Sequence, residues 1–115
     1  MNLHFDEMIS SPARLAILAA LVPGPPVRFK EMKDATGLAD GNLHVQTHKL
    51  ADAGYLQIRK ALQGRRSVTE FCLTELGLER LQLHVRKLQE VLAVEAAVTR
   101  PALPAERPDD SAVWS

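Results

Sequence analysis

At 115 residues the chain has room for one domain with one modest core. Its composition, 46% hydrophobic and 24% charged with a net charge of zero, places it among globular proteins and speaks against a purely electrostatic nucleic-acid binder. The longest apolar run, Leu15 to Val22, is too short to span a membrane, "MNLHFDEMIS" lacks the basic and apolar regions of a secretory leader, and the single cysteine, Cys72, excludes an internal disulfide. A cytoplasmic protein with no membrane partner is the expectation.

Leu3, Phe5, Met8 and Ile9 suggest a short leading helix that packs on something, a second subunit being one choice. Ser11-Pro12 opens the first firm helix: the serine accepts a bond from an orphan amide, and proline fits the first helical position. Leu15, Leu18, Ala19 and Val22 recur at helical spacing, with Ile17 and Leu21 thickening the stripe, until Pro23-Gly24-Pro25-Pro26 stops it. Val27, Arg28 and Phe29 look extended.

"KEMKDATG" then predicts a short helix with Met32 and Ala35 as its apolar positions and Gly37 as its left-handed end. "LAD" is a tight turn. Asp40 is expected to cap the next helix, Gly41 to Ala53, which faces Leu43, Thr47, Leu50 and Ala53 inward and ends at Gly54.

The period now changes to two. "YLQIRKAL" and "SVTEFCL" read as strands joined by "QGRR", a β-hairpin in which Gly64 is free to take positive φ. The inward set of the second strand stays open, Phe71 and Leu73 on one face and Val68 and Cys72 on the other. Thr74 caps a last helix, Glu75 to about Val98, whose Leu78, Leu81, Val85, Leu88 and Leu92 form a heptad-like stripe. The segment 99–115, with three prolines, is expected to be a disordered tail to a domain of residues 1–98.

The order is helix, short strand, helix, turn, helix, hairpin, long helix. That is a mainly α fold with a small β-hairpin wing: a winged helix-turn-helix with a long C-terminal dimerisation helix. Charge supports a functional reading. Residues 28–66 hold eight basic and four acidic residues, a net of +4, while the flanking segments are each slightly acidic. The centre of the chain is therefore the surface for an anionic partner.

Three segments, "SPARLAIL", "DGNLHVQTHKLADAGYL" and "GRRSVTEFCLTELG", resemble small winged-helix transcriptional regulators of the MarR-like kind. The resemblance runs from about Phe5 to Leu92. It rests on the "DGNL" helix start at Asp40–Leu43, the "AGY" end at Ala53–Tyr55, the "GRR" tip at Gly64–Arg66, and Thr74 with Gly77 and Leu81 leading into the last helix. It implies a dimer that binds double-stranded DNA and regulates transcription. The chain departs from relatives at His44, Val45, Gln46 and Thr47. Thr47 takes an apolar core position, which implies slightly looser packing there. Lys30 stands where a capping serine or threonine is usual, a loss of about 1 kcal/mol, and is free to reach a phosphate.

The candidate DNA-binding residues follow. Asn42, Val45, Gln46 and Lys49 lie opposite the apolar stripe at i, i+3, i+4 and i+7. Asparagine and glutamine can bond both edges of adenine, valine can touch a thymine methyl, and lysine suits guanine or phosphate. His44 flanks them, Arg65 and Arg66 at the wing tip suit a minor groove or phosphates, Arg59 extends that basic strip, and Lys30 is a further candidate for a phosphate. A polar surface helix and a charged hairpin tip are the plain alternatives. His44 and His48 share metal-ligand spacing, but no third ligand type completes a site, so no metal or cofactor is expected. Cys72 reads as an inert thiol, with a redox sensor the lesser reading.

The dimerisation set is Leu3, Phe5, Met8, Leu81, Val85, Leu88 and Leu92, because the last helix carries more apolar surface than one small domain buries. Nothing resembles a nucleophile–base pair, a phosphate loop or paired catalytic carboxylates, so an enzyme is not expected. The rival reading is a winged-helix protein-interaction module without DNA binding, which has no need of the +4 segment. A small-molecule effector stays open, since no pocket can be read from sequence.

Overall fold

The computed structural model describes residues 6–99, with side chains to residue 94. Leu3, Phe5 and nearly all of the expected tail lie outside the described residues. Eight elements follow in order: α1 (Glu7–Ser10), α2 (Pro12–Leu21), β1 (Val27–Arg28), α3 (Phe29–Thr36), α4 (Asp40–Asp52), β2 (Leu56–Gln63), β3 (Arg66–Leu73) and α5 (Glu75–Thr99). Two compact units divide them. One runs from His4 to His84 and holds the winged helix; the other begins at Val85 and takes the distal part of α5.

Local chemistry sets the helix starts. Asp6 caps α1 by accepting from Met8 N at 2.9 Å, and Ser11 caps α2 by accepting from Arg14 N at 3.4 Å. The expected apolar stripe of α2 is rotated: Ile17, Leu18 and Leu21 are fully buried, while Ala19 and Val22 are exposed. The unbroken apolar run from Leu15 to Val22 lets either side of the helix look apolar, and tertiary contacts choose. In α3, likewise, Met32 is buried and Ala35 exposed.

Two expected caps differ. Helix α3 begins at Phe29, one residue early, with Arg28 as its cap position and Lys30 already inside the first turn. The Glu31 carboxylate accepts from Arg28 N at 2.9 Å and closes this end without a serine or threonine. Helix α4 begins at Asp40, so Ala39 takes the cap position and makes no side-chain cap bond. Asp40 instead accepts from Lys33 Nζ at 2.7 Å, joining the end of α3 to the start of α4. That hydrogen bond raises the Lys33 pKa above its ordinary value of 10.5.

The sheet has three antiparallel strands in the order β1-β3-β2, so the hairpin is joined by the short extended piece before α3. Val27 pairs with Phe71, which pairs in turn with Ile58. This register settles the inward face of β3. Phe71 is 1% exposed and Leu73 packs against the core, while Val68 and Cys72 belong to the other face. Gln63 pairs with Arg66, so the turn is the two residues Gly64 and Arg65, with Gly64 at φ +65° in the first loop position.

The core gathers Ile9, Ile17, Leu18, Leu21, Met32, Leu43, Leu50, Tyr55, Leu56, Phe71 and Leu81. Thr47 is fully buried among them, and its hydroxyl donates to Leu43 O at 2.8 Å. The backbone bond satisfies the polar atom, so burial at this position carries no unpaired donor. Ile9, and Met8 beside it, pack on the core of their own chain.

The sheet and α5 meet at Thr74. Its hydroxyl donates to Gly54 O at 2.6 Å and accepts from Gly77 N at 3.0 Å, capping α5 while tying it to the end of α4. Gly77 lies so close to the Tyr55 carbonyl that a Cβ would overlap it. Leu81 is 6% exposed and belongs to the protomer's own core, so its side chain is not free for the dimer face assigned to it. Leu78, Val85 and Leu88 are 37%, 42% and 36% exposed, and Leu92 is 63% exposed.

Candidate nucleic-acid interface

Helix α4 presents a buried stripe and an exposed one. Leu43, Thr47 and Leu50 point into the core, and Asn42, His44, Val45, His48 and Lys49 are exposed. Val45 is 47% exposed, a large apolar side chain open to water. Gln46 differs from the expectation of an open outward residue. It is half-buried, and its Oε1 accepts from Arg14 Nη1 at 2.8 Å, while its Nε2 donates to Asn42 Oδ1 at 3.0 Å.

Arg14 was not among the expected residues. Its Nε donates to Met8 O at 2.6 Å and its Nη2 to Glu7 O at 3.2 Å, which satisfies two carbonyls at the end of α1. The guanidinium therefore joins α1, α2 and α4. Its contacts lie 6, 7 and 32 residues away in the chain. No local spacing signals them; a lone arginine on an otherwise apolar helix was the one available hint.

The histidines stack on one another, ring centroids 4.0 Å apart, and His48 Nδ1 meets His44 O at 2.8 Å. Among the described residues no group of three or more His, Cys, Asp or Glu side chains is arranged to hold a metal ion.

The wing carries its own basic surface. Arg65 is at the turn and Arg66 opens β3, both exposed. Beside them Leu62 is 80% exposed. Arg59 is less available, because it lies across from Glu70 with Nε 3.4 Å from the carboxylate. Lys60 donates to Thr69 Oγ1 at 2.8 Å across the same strand pair. Arg28 donates to Gln63 Oε1 at 3.0 Å, linking the start of α3 to the wing. Around this bond Arg28, Lys30, Arg66 and Thr69 line a cleft of 400 Å³. The structure thus brings Lys30 and Arg66 to one cleft, and Asn42 and Gln46 to one hydrogen-bond chain.

A family model described as a winged helix DNA-binding domain matches residues 13–92. The chain belongs to this family. The match runs from α2 to Leu92 within α5, and so includes both the α4 face and the wing. No curated protein matches the chain.

Solved structures share the fold. A transcriptional regulator homologue from Pyrococcus horikoshii OT3 superposes with a TM-score of 0.71 at 24% identity, over 76% of this chain and 87% of that one. MarR gives 0.67 at 18% identity, over 88% and 71%. PadR of Bacillus subtilis, in complex with operator DNA, gives 0.55 at 20% identity, over 60% of this chain and 44% of that one. The family is described as a DNA-binding domain, and the Pyrococcus protein as a transcriptional regulator homologue. Among the described residues no helix is long and apolar enough to cross a membrane.

Proposed function

We propose that the protein is a homodimeric transcriptional regulator of the cytoplasm, in which α4 enters a major groove and the wing meets the minor groove or phosphates. The observation that carries this reading is the exposed face of α4. Asn42, Val45 and Lys49 stand clear of the core on a helix whose opposite side is fully buried, which is how a recognition helix is seated. Hydrogen-bonding groups, an apolar contact and a cation there match the features that base edges display. His44 lies beside this face and reaches phosphates, as does Lys30 from the cleft it shares with Arg66, and Arg65 and Arg66 take the wing contacts. Arg59 contributes its charge in part, since Glu70 shares it. PadR, which has this fold, is bound to operator DNA, and that lends support to DNA as the partner.

Dimerisation is read from α5. Val85, Leu88 and Leu92 stay exposed at three- and four-residue spacing, as a seam between helices requires. A two-fold dimer would set two α4 helices in successive major grooves, about 34 Å apart. The test is selection of bound duplexes from a random pool. Enrichment of a two-fold symmetric site with half-sites one turn apart is expected. Failure to retain any duplex at low salt would leave the protein-interaction reading in its place.

A further inference from the structure

The two bonds that run from Arg14 through Gln46 to Asn42 have a direction. A guanidinium has five N–H donors, no acceptor, and keeps its proton at any ordinary pH. It can face only the oxygen end of the Gln46 amide, so Oε1 is the atom at 2.8 Å. The nitrogen end of Gln46 must then point the other way, and it donates to Asn42 Oδ1 at 3.0 Å. This in turn fixes the second amide. Asn42 is left with its oxygen engaged and both Nδ2 hydrogens facing out, where they have no partner among the described residues.

Asn42 is exposed, and its amide would otherwise turn over freely. An unrestrained asparagine grips adenine with two bonds, accepting from N6 and donating to N7. Here one of the two Oδ1 lone pairs already accepts from Gln46 and the oxygen is turned toward that side chain, so the two-bond grip on adenine is disfavoured. The outward donors suit acceptor edges instead, O6 and N7 of guanine or O4 of thymine, whereas at adenine the N6 amino group beside N7 sets a donor against a donor. Arg14 is itself immobilised by Met8 O and Glu7 O, so the direction is set by α1 and α2 and not by α4 alone.

We propose that Arg14 is a positioning residue for base recognition: through Gln46 it orients Asn42 as a donor, so that α4 selects guanine or thymine over adenine at the base pair Asn42 meets. This rests on the reading that α4 faces DNA bases. It moves part of the sequence preference off the recognition helix, to a side chain that need not touch DNA.

The test is selection from a random duplex pool with the full chain and four variants, each checked for folding by circular dichroism and thermal melting. Asn42→Ala identifies the base pair concerned, as the position whose preference collapses. There the wild-type chain should enrich guanine or thymine by about tenfold, the order of one good base contact. Arg14→Met removes the donors and should flatten that position alone, leaving the other positions and the salt dependence unchanged. Arg14→Lys keeps a donor toward Gln46 and should retain the preference.

Gln46→Glu is the sharper variant, because it preserves a partner for Arg14. A carboxylate only accepts, so Asn42 must turn its nitrogen inward and show its oxygen. The preference at the Asn42 position should then move to adenine or cytosine, whose amino groups donate. This variant also decides the matter if Arg14→Met fails to fold. Unchanged preference in Gln46→Glu, or the wild-type preference in a folded Arg14→Met, overturns the role of Arg14 while α4 remains a base reader. A wild-type chain that enriches no sequence overturns both.

Discussion

Replacing Gly77 with alanine sets two effects of opposite sign against each other. Gly77 lies in the first turn of α5, where alanine is the better helix former by about 1 kcal/mol. Propensity alone predicts a more stable protein. The new Cβ, however, would overlap the Tyr55 carbonyl oxygen and stand 2.8 Å from Leu73 Cδ1 and 2.9 Å from the Tyr55 carbonyl carbon. Backbone cannot swing aside as a side chain does, so α5 must back away from the end of α4. Withdrawal strains the bond from Thr74 N to Tyr55 O at 3.2 Å and that from Thr74 Oγ1 to Gly54 O at 2.6 Å. Overpacking costs about 1–3 kcal/mol, and each weakened hydrogen bond adds about 1 kcal/mol. Set against the propensity gain, the net loss is roughly 2–4 kcal/mol, a large share of the ~5–15 kcal/mol of an ordinary domain. For a domain of this size that lowers Tm by about 10–30 °C. Urea unfolding followed by circular dichroism reads the change in midpoint directly. A Gly77→Ala protein as stable as the parent, or more so, would refute the close approach of α5 to Tyr55.

Three further outcomes follow from single contacts. Burial, and then the 2.5 Å bond to Asp6 Oδ2, push the Tyr55 phenol up to about 12 from 10.0. Folding thus holds it neutral: this stability is fully present below pH 10 and is lost as pH rises toward about 12. Alkaline denaturation of Tyr55→Phe should lack that component, and identical alkaline slopes in both proteins would argue against it. Thr47→Val should fold with stability within about 1 kcal/mol of the parent, because the hydroxyl only supplements a carbonyl already inside the helix; a loss of several kcal/mol in thermal melting would contradict this. Leu88→Glu with Leu92→Glu should give a folded monomer by sedimentation, while a dimer of unchanged strength would remove α5 from the interface.

How far the sequence reached depended on whether a signal was local. The end of α4 at Gly54, the Thr74 cap and the wing turn at Gly64 are each written in a few adjacent residues, and the structure has them in place. Sequence sets the start of α4 one residue late because Asp40 looks like a cap, yet Lys33 claims its carboxylate from the preceding helix. The face of β3 was undecidable in isolation, since both of its sides carry apolar residues; pairing Phe71 with Val27 and Ile58 decides it. Two-residue β1 is too short to show a period, so its place in the sheet comes only from its partner. Leu81 matched the heptad of α5 as well as its neighbours did, and periodicity cannot say which turn of a helix still lies over its own core. Arg14 was invisible for the same reason in a stronger form, because its partner on α4 is 32 residues away.

DNA binding through α4 and the wing is tested most directly by the salt dependence of affinity for duplex DNA, measured for the parent and for Arg65→Ala with Arg66→Ala. If a dimer neutralises roughly six to ten phosphates, affinity should fall about 10³–10⁵-fold between 50 and 200 mM salt. The double variant should bind all sequences more weakly and with a shallower slope, because four arginines per dimer are gone. Affinity indifferent to salt, or a double variant that binds as tightly and as steeply as the parent, would contradict the account.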